Sequence, residues 1–221
     1  MAVGKATPAF KRHQAHVVYK LKDGTRVPGT TTITGLLDKP QLVAWANRLG
    51  LEGIDATQYR DSMAGVGTLA HAMAQAELSG QPLTEDLTEY SPKEISLAEN
   101  ALIKFRNWRK AHDFVPILLE TPLVSEEHRF GGTIDAYGLL DGAPALIDLK
   151  TGKAIYPEMV YQLAAYRQLL IEHGYAVDNV RIVRIGRDES EGFEERIFGN
   201  LDKAWQVFWH LRQIYDLRKG V

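Results

Sequence analysis

The feature that most constrains this chain is a carboxylate thirteen residues ahead of an acid–x–lysine pair. Asp135 precedes Asp148 and Lys150, and both segments have the apolar composition of neighbouring strands. Because side chains alternate along a strand, Asp148 and Lys150 share one face, whereas Ile147 and Leu149 share the other. Two carboxylates and an ammonium at one sheet edge are costly unless a divalent cation and an anion bind there. The pattern therefore predicts a site that holds a hard cation against a phosphodiester.

Composition indicates one globular domain. The chain has 221 residues, 45% of them hydrophobic and 24% charged, which is enough for one substantial core. No apolar run reaches the ~20 residues that span a bilayer, and no secretory signal is evident, so we expect a cytoplasmic protein without a membrane partner. The net charge of −2 leaves DNA binding to local basic patches. The candidate patches are Lys11–His13, Lys104–Lys110, and Arg181 with Arg184 and Arg187.

Periodicity and turn residues predict the order of the elements. We expect a hairpin at 17–27; helices at 32–37, 41–48, 56–78 (interrupted near Gly65 and Gly67) and 92–112; strands at 116–125, 129–140 and 145–150; a helix at 156–173; strands at 180–185 and 194–198; and a helix at 201–218. The predicted fold is mixed α/β (α+β), a central mixed sheet flanked by helices. The expected parts of the single domain are a flexible arm (1–14), a hairpin with helices (15–112), a catalytic core (113–200) and a final helix (201–221).

The predicted helix after the acid–x–lysine strand contains a glutamine and a tyrosine that belong to the same pattern. Gln162 and Tyr166 lie four residues apart, hence on one helical face. With Asp135, Asp148 and Lys150 they resemble the PD-(D/E)XK nuclease superfamily, in its RecB-like exonuclease branch. The resemblance implies a restriction-endonuclease-like core in which Gln162 and Tyr166 bind DNA.

Two N-terminal segments extend this resemblance to residues 27–170. Gly67 to His71 resembles the glycine and helix histidine of the branch, and Val27 to Ala46 resembles the N-terminal portion of phage-type members. The resemblance implies that His71, with the backbone carbonyl of Leu149, joins the two aspartates as a metal ligand.

The resemblance also implies the cofactor and the roles of the remaining residues. The expected metal is Mg²⁺ or Mn²⁺, with Lys150 orienting or deprotonating a water. The absence of cysteine removes the iron–sulfur cluster that several relatives bind. Glu120 fits a recurrent acidic position whose role stays open, and Lys153 follows a Thr-Gly turn that lets it approach the substrate.

The expected activity is that of a metal-dependent DNA exonuclease that acts in phage-type recombination or repair. The expected partner is single- or double-stranded DNA with an end, in a bacterial or phage-infected cell. A single-strand annealing protein and further copies of the chain are additional candidate partners. The alternatives are a structure-selective or restriction-like endonuclease with the same site, and an inactive DNA-binding module.

Each motif also has a structural interpretation. Asp148 and Lys150 could form a surface ion pair at a strand end, and Asp135 could face water. His71 taken alone is more often a satisfied histidine than a ligand. Gln162 and Tyr166 could form the polar edge of an amphipathic helix. Polarity, strand preference, processivity and the number of metal ions stay open.

Overall fold

The computed structural model describes residues 17–220, so the predicted arm at 1–14 lies outside the described residues. The helices are α1 (Thr30–Thr34), α2 (Pro40–Leu51), α3 (Ala56–Ser79), α4 (Pro92–Ala111), α5 (Pro157–Glu172) and α6 (Asp202–Leu217), with 3₁₀ turns at Leu87–Glu89 and Arg218–Gly220. The strands are β1 (Phe114–Ser125), β2 (Phe130–Leu140), β3 (Ala143–Thr151), β4 (Asn179–Ile185) and β5 (Phe193–Ile197). Among the described helices, none is long and apolar enough to cross a membrane.

The five strands form one mixed sheet in the order β1-β2-β3-β4-β5. β1, β2 and β3 are antiparallel neighbours, and Asp141 and Gly142 join the last two, both with positive φ (52° and 85°) as a two-residue hairpin turn requires. The α5 crossover returns the chain so that β4 is parallel to β3, and β5 pairs antiparallel with β4. The predicted mixed α/β fold is confirmed, whereas the single-domain division stays a prediction.

Helices cover both faces of the sheet and bury a separate core on each. One core joins the sheet to α5 and α6 around Phe130, Leu163 and Phe208. The other joins the sheet to α3 and α4 around Leu69 and Phe105. Because β3 is central, its apolar side chains supply both cores, as is typical of a strand buried on two faces.

The sheet divides beside its centre. The ladder between β2 and β3 ends at Ala136 and Ile147. Beyond that point β2 continues to pair with β1 as far as Phe130, while β3 continues to pair with β4 as far as Thr151. We call the divergent segments, 130–135 of β2 and 148–151 of β3, the strand fork. The fork contains all three charged residues of the original pattern.

The predicted interruption of the third helix is wrong, because α3 runs continuously through Gly65 and Gly67. A glycine inside a helix costs only about 1 kcal/mol relative to alanine. A Cβ at Gly67 would lie 2.8 Å from Oγ1 of Thr151, so glycine lets α3 approach the end of β3 closely. The predicted start of α4 is confirmed: Ser91 and Glu94 form a capping box.

The three arginines proposed as a surface patch form ion pairs within the fold. Arg181 and Arg184 are buried, with Glu195 and Glu194 as their respective partners. Oε1 of Glu195 accepts hydrogen bonds from Arg181 at 2.6 Å and from the Trp108 indole at 2.9 Å. This carboxylate therefore ties β4 and β5 to α4, and the arginine patch does not provide a free DNA-binding surface.

Replacement of Glu195 by Gln should lower stability in a pH-dependent manner. Burial alone would raise the pKa of Glu195, but the donors Arg181 and Trp108 outweigh it and hold the pKa below 4.5. The stabilisation is therefore present above pH 4.5 and is lost as the pH falls through the lower, folded-state pKa. We expect a loss of about 1–2 kcal/mol at pH 7.

Urea unfolding between pH 3 and pH 7 measures this effect. The exposed Glu189 supplies a matched control, since Glu189→Gln should change the free energy of unfolding by less than ~0.5 kcal/mol. A Glu195→Gln deficit that stayed constant down to pH 3 would contradict an ionic origin.

Candidate metal centre in the strand fork

Asp135 lies where β2 leaves β3. Its Oδ2 accepts a hydrogen bond of 2.9 Å from the backbone N–H of Leu149, so the carboxylate takes the place of the missing strand neighbour. The register pairs Ala136 with Ile147, and one step further along the hairpin Asp135 comes opposite Asp148. A thirteen-residue spacing with a two-residue turn thus places the two acids across the fork from each other.

Asp148 is fully buried, and within the described residues its Oδ1 has no hydrogen-bond partner. Its Oδ2 lies 2.6 Å from the Lys150 ammonium in a close ion pair. Burial raises the pKa of Asp148 to about 6, although the Lys150 charge acts in the opposite direction. A buried carboxylate oxygen without a partner is costly, and a bound cation would satisfy it. The donor set therefore fits a divalent metal.

Three further ligand atoms converge beside this pair. His71, Glu120 and Asp135 each place a ligand atom within 4.8 Å of the other two, and Nδ1 of His71 lies 3.9 Å from Oδ2 of Asp135. Burial, together with the Lys150 charge, lowers the pKa of His71 to about 4, although the Asp148 charge and hydrogen bonding to the Leu149 backbone act in the opposite direction. The imidazole is therefore neutral at pH 7, the form that binds metals.

Glu120 joins the group through an unusual backbone conformation. Its φ is +41°, in the left-handed region that non-glycine residues rarely occupy. It stands in β1 between Leu119, which pairs with Ala136, and Thr121. Burial raises the pKa of Glu120 to about 7, with the Asp135 charge as the next cause. Strained residues of this kind concentrate at functional sites, so the open role of Glu120 becomes a candidate ligand role.

Lys150 is protonated and lies beside the carboxylates of the strand fork. Burial alone would lower its pKa, but Asp148 and Asp135 outweigh burial and raise the pKa above 10.5. The side chain keeps 17% exposure, enough to reach a ligand. A persistent ammonium next to a metal site is suited to stabilise an anion rather than to remove a proton at neutral pH.

A cleft of about 1300 Å³ leads to these groups. Its walls come from α2, α3, the turn after β3 and the start of α5. His71, Glu120, Asp135 and Lys150 border it, together with the predicted Lys153. Asp148 is fully buried and does not border the cleft, so only part of the predicted set meets the cleft directly.

Gln162 and Tyr166 do not border the cleft. The Gln162 amide donates a hydrogen bond of 2.5 Å to the Tyr166 hydroxyl, and the Tyr166 ring is only 4% exposed. A Cβ at Gly132 would lie 2.6 Å from that ring, so the glycine makes room for it. Burial and the charges of Asp135 and Asp148 hold the Tyr166 pKa well above 10. The structure thus places this pair behind the carboxylates, and its DNA-binding role stays a prediction.

A second acid–histidine group lies elsewhere and has a structural role. Glu127, His128 and Glu172 gather near the β1–β2 turn. Nδ1 of His128 lies 2.8 Å from Glu172, and the imidazole meets Trp205 and Trp209 edge-on at 4.9 and 5.0 Å between ring centroids. These contacts account for His128, and the group provides a control for metal binding.

Comparison with known proteins leaves the family open. No family model and no curated protein matches the sequence. Among solved structures, the chain is similar to a crystal structure named "Putative exonuclease" from Eubacterium rectale, with a TM-score of 0.47 and 13% identity over 69% of this chain. The chain spans 65% of that protein's length. Likeness at this level carries no functional inference, so function must be inferred from the site itself.

The fork should bind Mn²⁺ with a measurable gain in stability. An ion at one hundred times its dissociation constant contributes ~2.7 kcal/mol, which corresponds to a Tm increase of roughly 5–10 °C for a domain of this size. Differential scanning fluorimetry with and without Mn²⁺ measures the increase. The double variant Asp135→Asn/Asp148→Asn should lose it because the charged ligands are gone.

Glu172→Gln is the matched control. It removes a carboxylate from the second acid–histidine group, so its own Tm can fall while the Mn²⁺-induced increase remains. Equal increases for the wild type and the double variant would place the metal outside the fork.

Proposed function

We propose that this chain is a metal-dependent nuclease of the PD-(D/E)XK superfamily that hydrolyses phosphodiester bonds from DNA ends. One observation carries the proposal: Asp148 is fully buried, with Oδ1 unpartnered among the described residues and Oδ2 2.6 Å from the Lys150 ammonium, at the fork that contains Asp135. A structural ion pair at a strand end would leave its carboxylate in water. A buried carboxylate with an unpartnered oxygen is instead typical of a cation site.

The proposed ligands are Asp135, Asp148, the carbonyl of Leu149 and His71. Ligand atoms of His71, Asp135 and Glu120 lie within 4.8 Å of one another, and Asp148 and the Leu149 carbonyl are added from the resemblance to the superfamily. A bound divalent ion lowers the pKa of a water and neutralises charge on the phosphodiester. Carboxylate and carbonyl oxygens suit both Mg²⁺ and Mn²⁺, whereas the imidazole nitrogen favours Mn²⁺. Of the two ions, Mn²⁺ is therefore the one that this ligand set favours.

Lys150 supplies a positive charge next to the expected position of the phosphodiester. Its ammonium donates hydrogen bonds to the attacking water or to a phosphate oxygen and so stabilises the negative charge that develops in the transition state. Its raised pKa favours this role over that of a general base. Asp148 fixes the position of the ammonium. By similarity to the superfamily, the expected products carry a 5′-phosphate and a 3′-hydroxyl.

The requirement for a DNA end comes from the resemblance to the RecB-like, phage-type branch. The same residues would serve an endonuclease, because one catalytic site can be grafted onto many substrate-binding surfaces. An annealing-protein partner, self-assembly, a recombination setting and a cytoplasmic location are proposals on the same basis.

Lys150→Ala should strongly reduce the rate of cleavage while leaving DNA affinity nearly unchanged. Loss of one group that stabilises transition-state charge typically costs about 10²–10³-fold in rate. We expect that loss on end-labelled linear DNA in Mn²⁺ or Mg²⁺, with DNA affinity in EDTA within a few-fold of wild type. Lys203→Ala, an exposed lysine on α6, is the matched control and should cleave normally.

Closed circular DNA in the same reactions tests the end requirement. Release of nucleotides from linear DNA with intact circles supports an exonuclease, and cleavage of circles shows an endonuclease. Absence of metal-dependent cleavage, or strong cleavage by Lys150→Ala, would overturn the catalytic proposal.

A further inference from the structure

An aromatic pair borders the cleft that contains the fork. Trp45 projects from α2 and Tyr59 from α3, with ring centroids 6.1 Å apart and planes tilted by 58°. Tyr59 is 38% exposed, and Trp45 is partly exposed. Asp135 and Lys150 border the same cavity, so one continuous space joins the aromatic rings to the candidate metal centre. Partly exposed rings of this kind can each offer a face to a planar ligand.

Most cations of the cleft are already neutralised. The pairs are Lys39 with Glu158, Arg60 with Asp61, Lys150 with Asp148, and Arg187 with Glu191. Within residues 17–220, the side chains of Arg48 and Lys153 border the cleft without an ion pair or hydrogen bond. Arg48 follows Trp45 by three residues on α2, so the two side chains are neighbours on the helix surface.

Two partly exposed aromatic rings beside an arginine that is unpaired within residues 17–220 favour a ligand with both a flat apolar face and a negative charge. The carboxylates Asp38 and Glu85 also border the cleft, so the positive potential is modest and charge alone would bind a polyanion weakly. Stacking must supply much of the affinity. In a duplex the bases stack on one another, whereas a single strand presents free base faces next to phosphates.

We propose that Trp45 and Tyr59 form a stacking site for a base of single-stranded DNA and that Arg48 binds a phosphate of the same strand. The path of the strand from this site to Lys150 rests on the proposed nuclease function. Binding at the aromatic pair does not require cleavage, so the two proposals can fail separately.

Fluorescence anisotropy with a labelled oligothymidylate in EDTA tests the stacking site without turnover. Trp45→Ala should weaken binding about tenfold, because one aromatic–base stack is lost, and Trp45→Phe should retain most of the affinity. A strand whose nucleotides are abasic removes the same stack from the ligand. It should bind the wild type weakly and lose little more with Trp45→Ala.

Arg48→Ala tests the phosphate contact. It should reduce the slope of log K against log salt concentration by about 0.7, the value for one phosphate contact on a single strand. Arg196→Ala, an exposed arginine on β5, is the control and should change neither affinity nor slope.

The outcomes distinguish the stacking site from the nuclease function. Wild-type affinity in a folded Trp45→Ala variant, or equal losses for duplex and single strand, would overturn the stacking site. Metal-dependent cleavage without Trp45-dependent binding keeps the nuclease function and rejects the site. Trp45-dependent binding of the single strand without cleavage keeps the site and rejects the nuclease function.

Discussion

The hydrogen bond from the Leu149 N–H to the Asp135 carboxylate is the contact on which the candidate site depends. A strand that loses its neighbour exposes backbone donors, and in a buried sheet these need another partner. Here an acidic side chain is that partner, so the end of a ladder also becomes a place where negative charge accumulates. Asp148 lies on the other side of the same gap, and Lys150 limits the repulsion between the two acids.

The fold must stabilise buried carboxylates and a strained backbone at the candidate site. Burial raises the pKa values of Asp135 and Asp148, so each of these ionised carboxylates costs free energy in the folded chain. The left-handed conformation of Glu120 adds backbone strain. Two cores on opposite faces of the sheet offset these costs. Such local conflict within a consistent fold is typical of functional sites.

Local patterns predicted much of this structure. The alternation in β3 and the Asp141-Gly142 turn fixed the hairpin that brings Asp135 opposite Asp148. The predicted break in α3 failed because sequence could not show that Thr151 packs against Gly67. Other features depend on long-range geometry. Glu120 reaches the site through the register of β1, which contains an irregularity after Pro116, and the Trp45–Tyr59 pair joins two separate helices. No local sequence pattern predicts these contacts.

The candidate site draws on two layers of the fold, the sheet and the helices α3 and α4 that pack on one of its faces. His71 comes from the helical layer of α3, the acids come from the sheet, and Asp148 and Lys150 alternate with the β3 residues Ile147 and Leu149, which pack toward α3 and α4. Transfer of residues 131–153 to another protein would carry Asp135, Asp148 and Lys150 without His71 or the helices that line the cleft. The candidate site therefore requires the whole folded domain, and the sequence motif alone would not reproduce it in another protein.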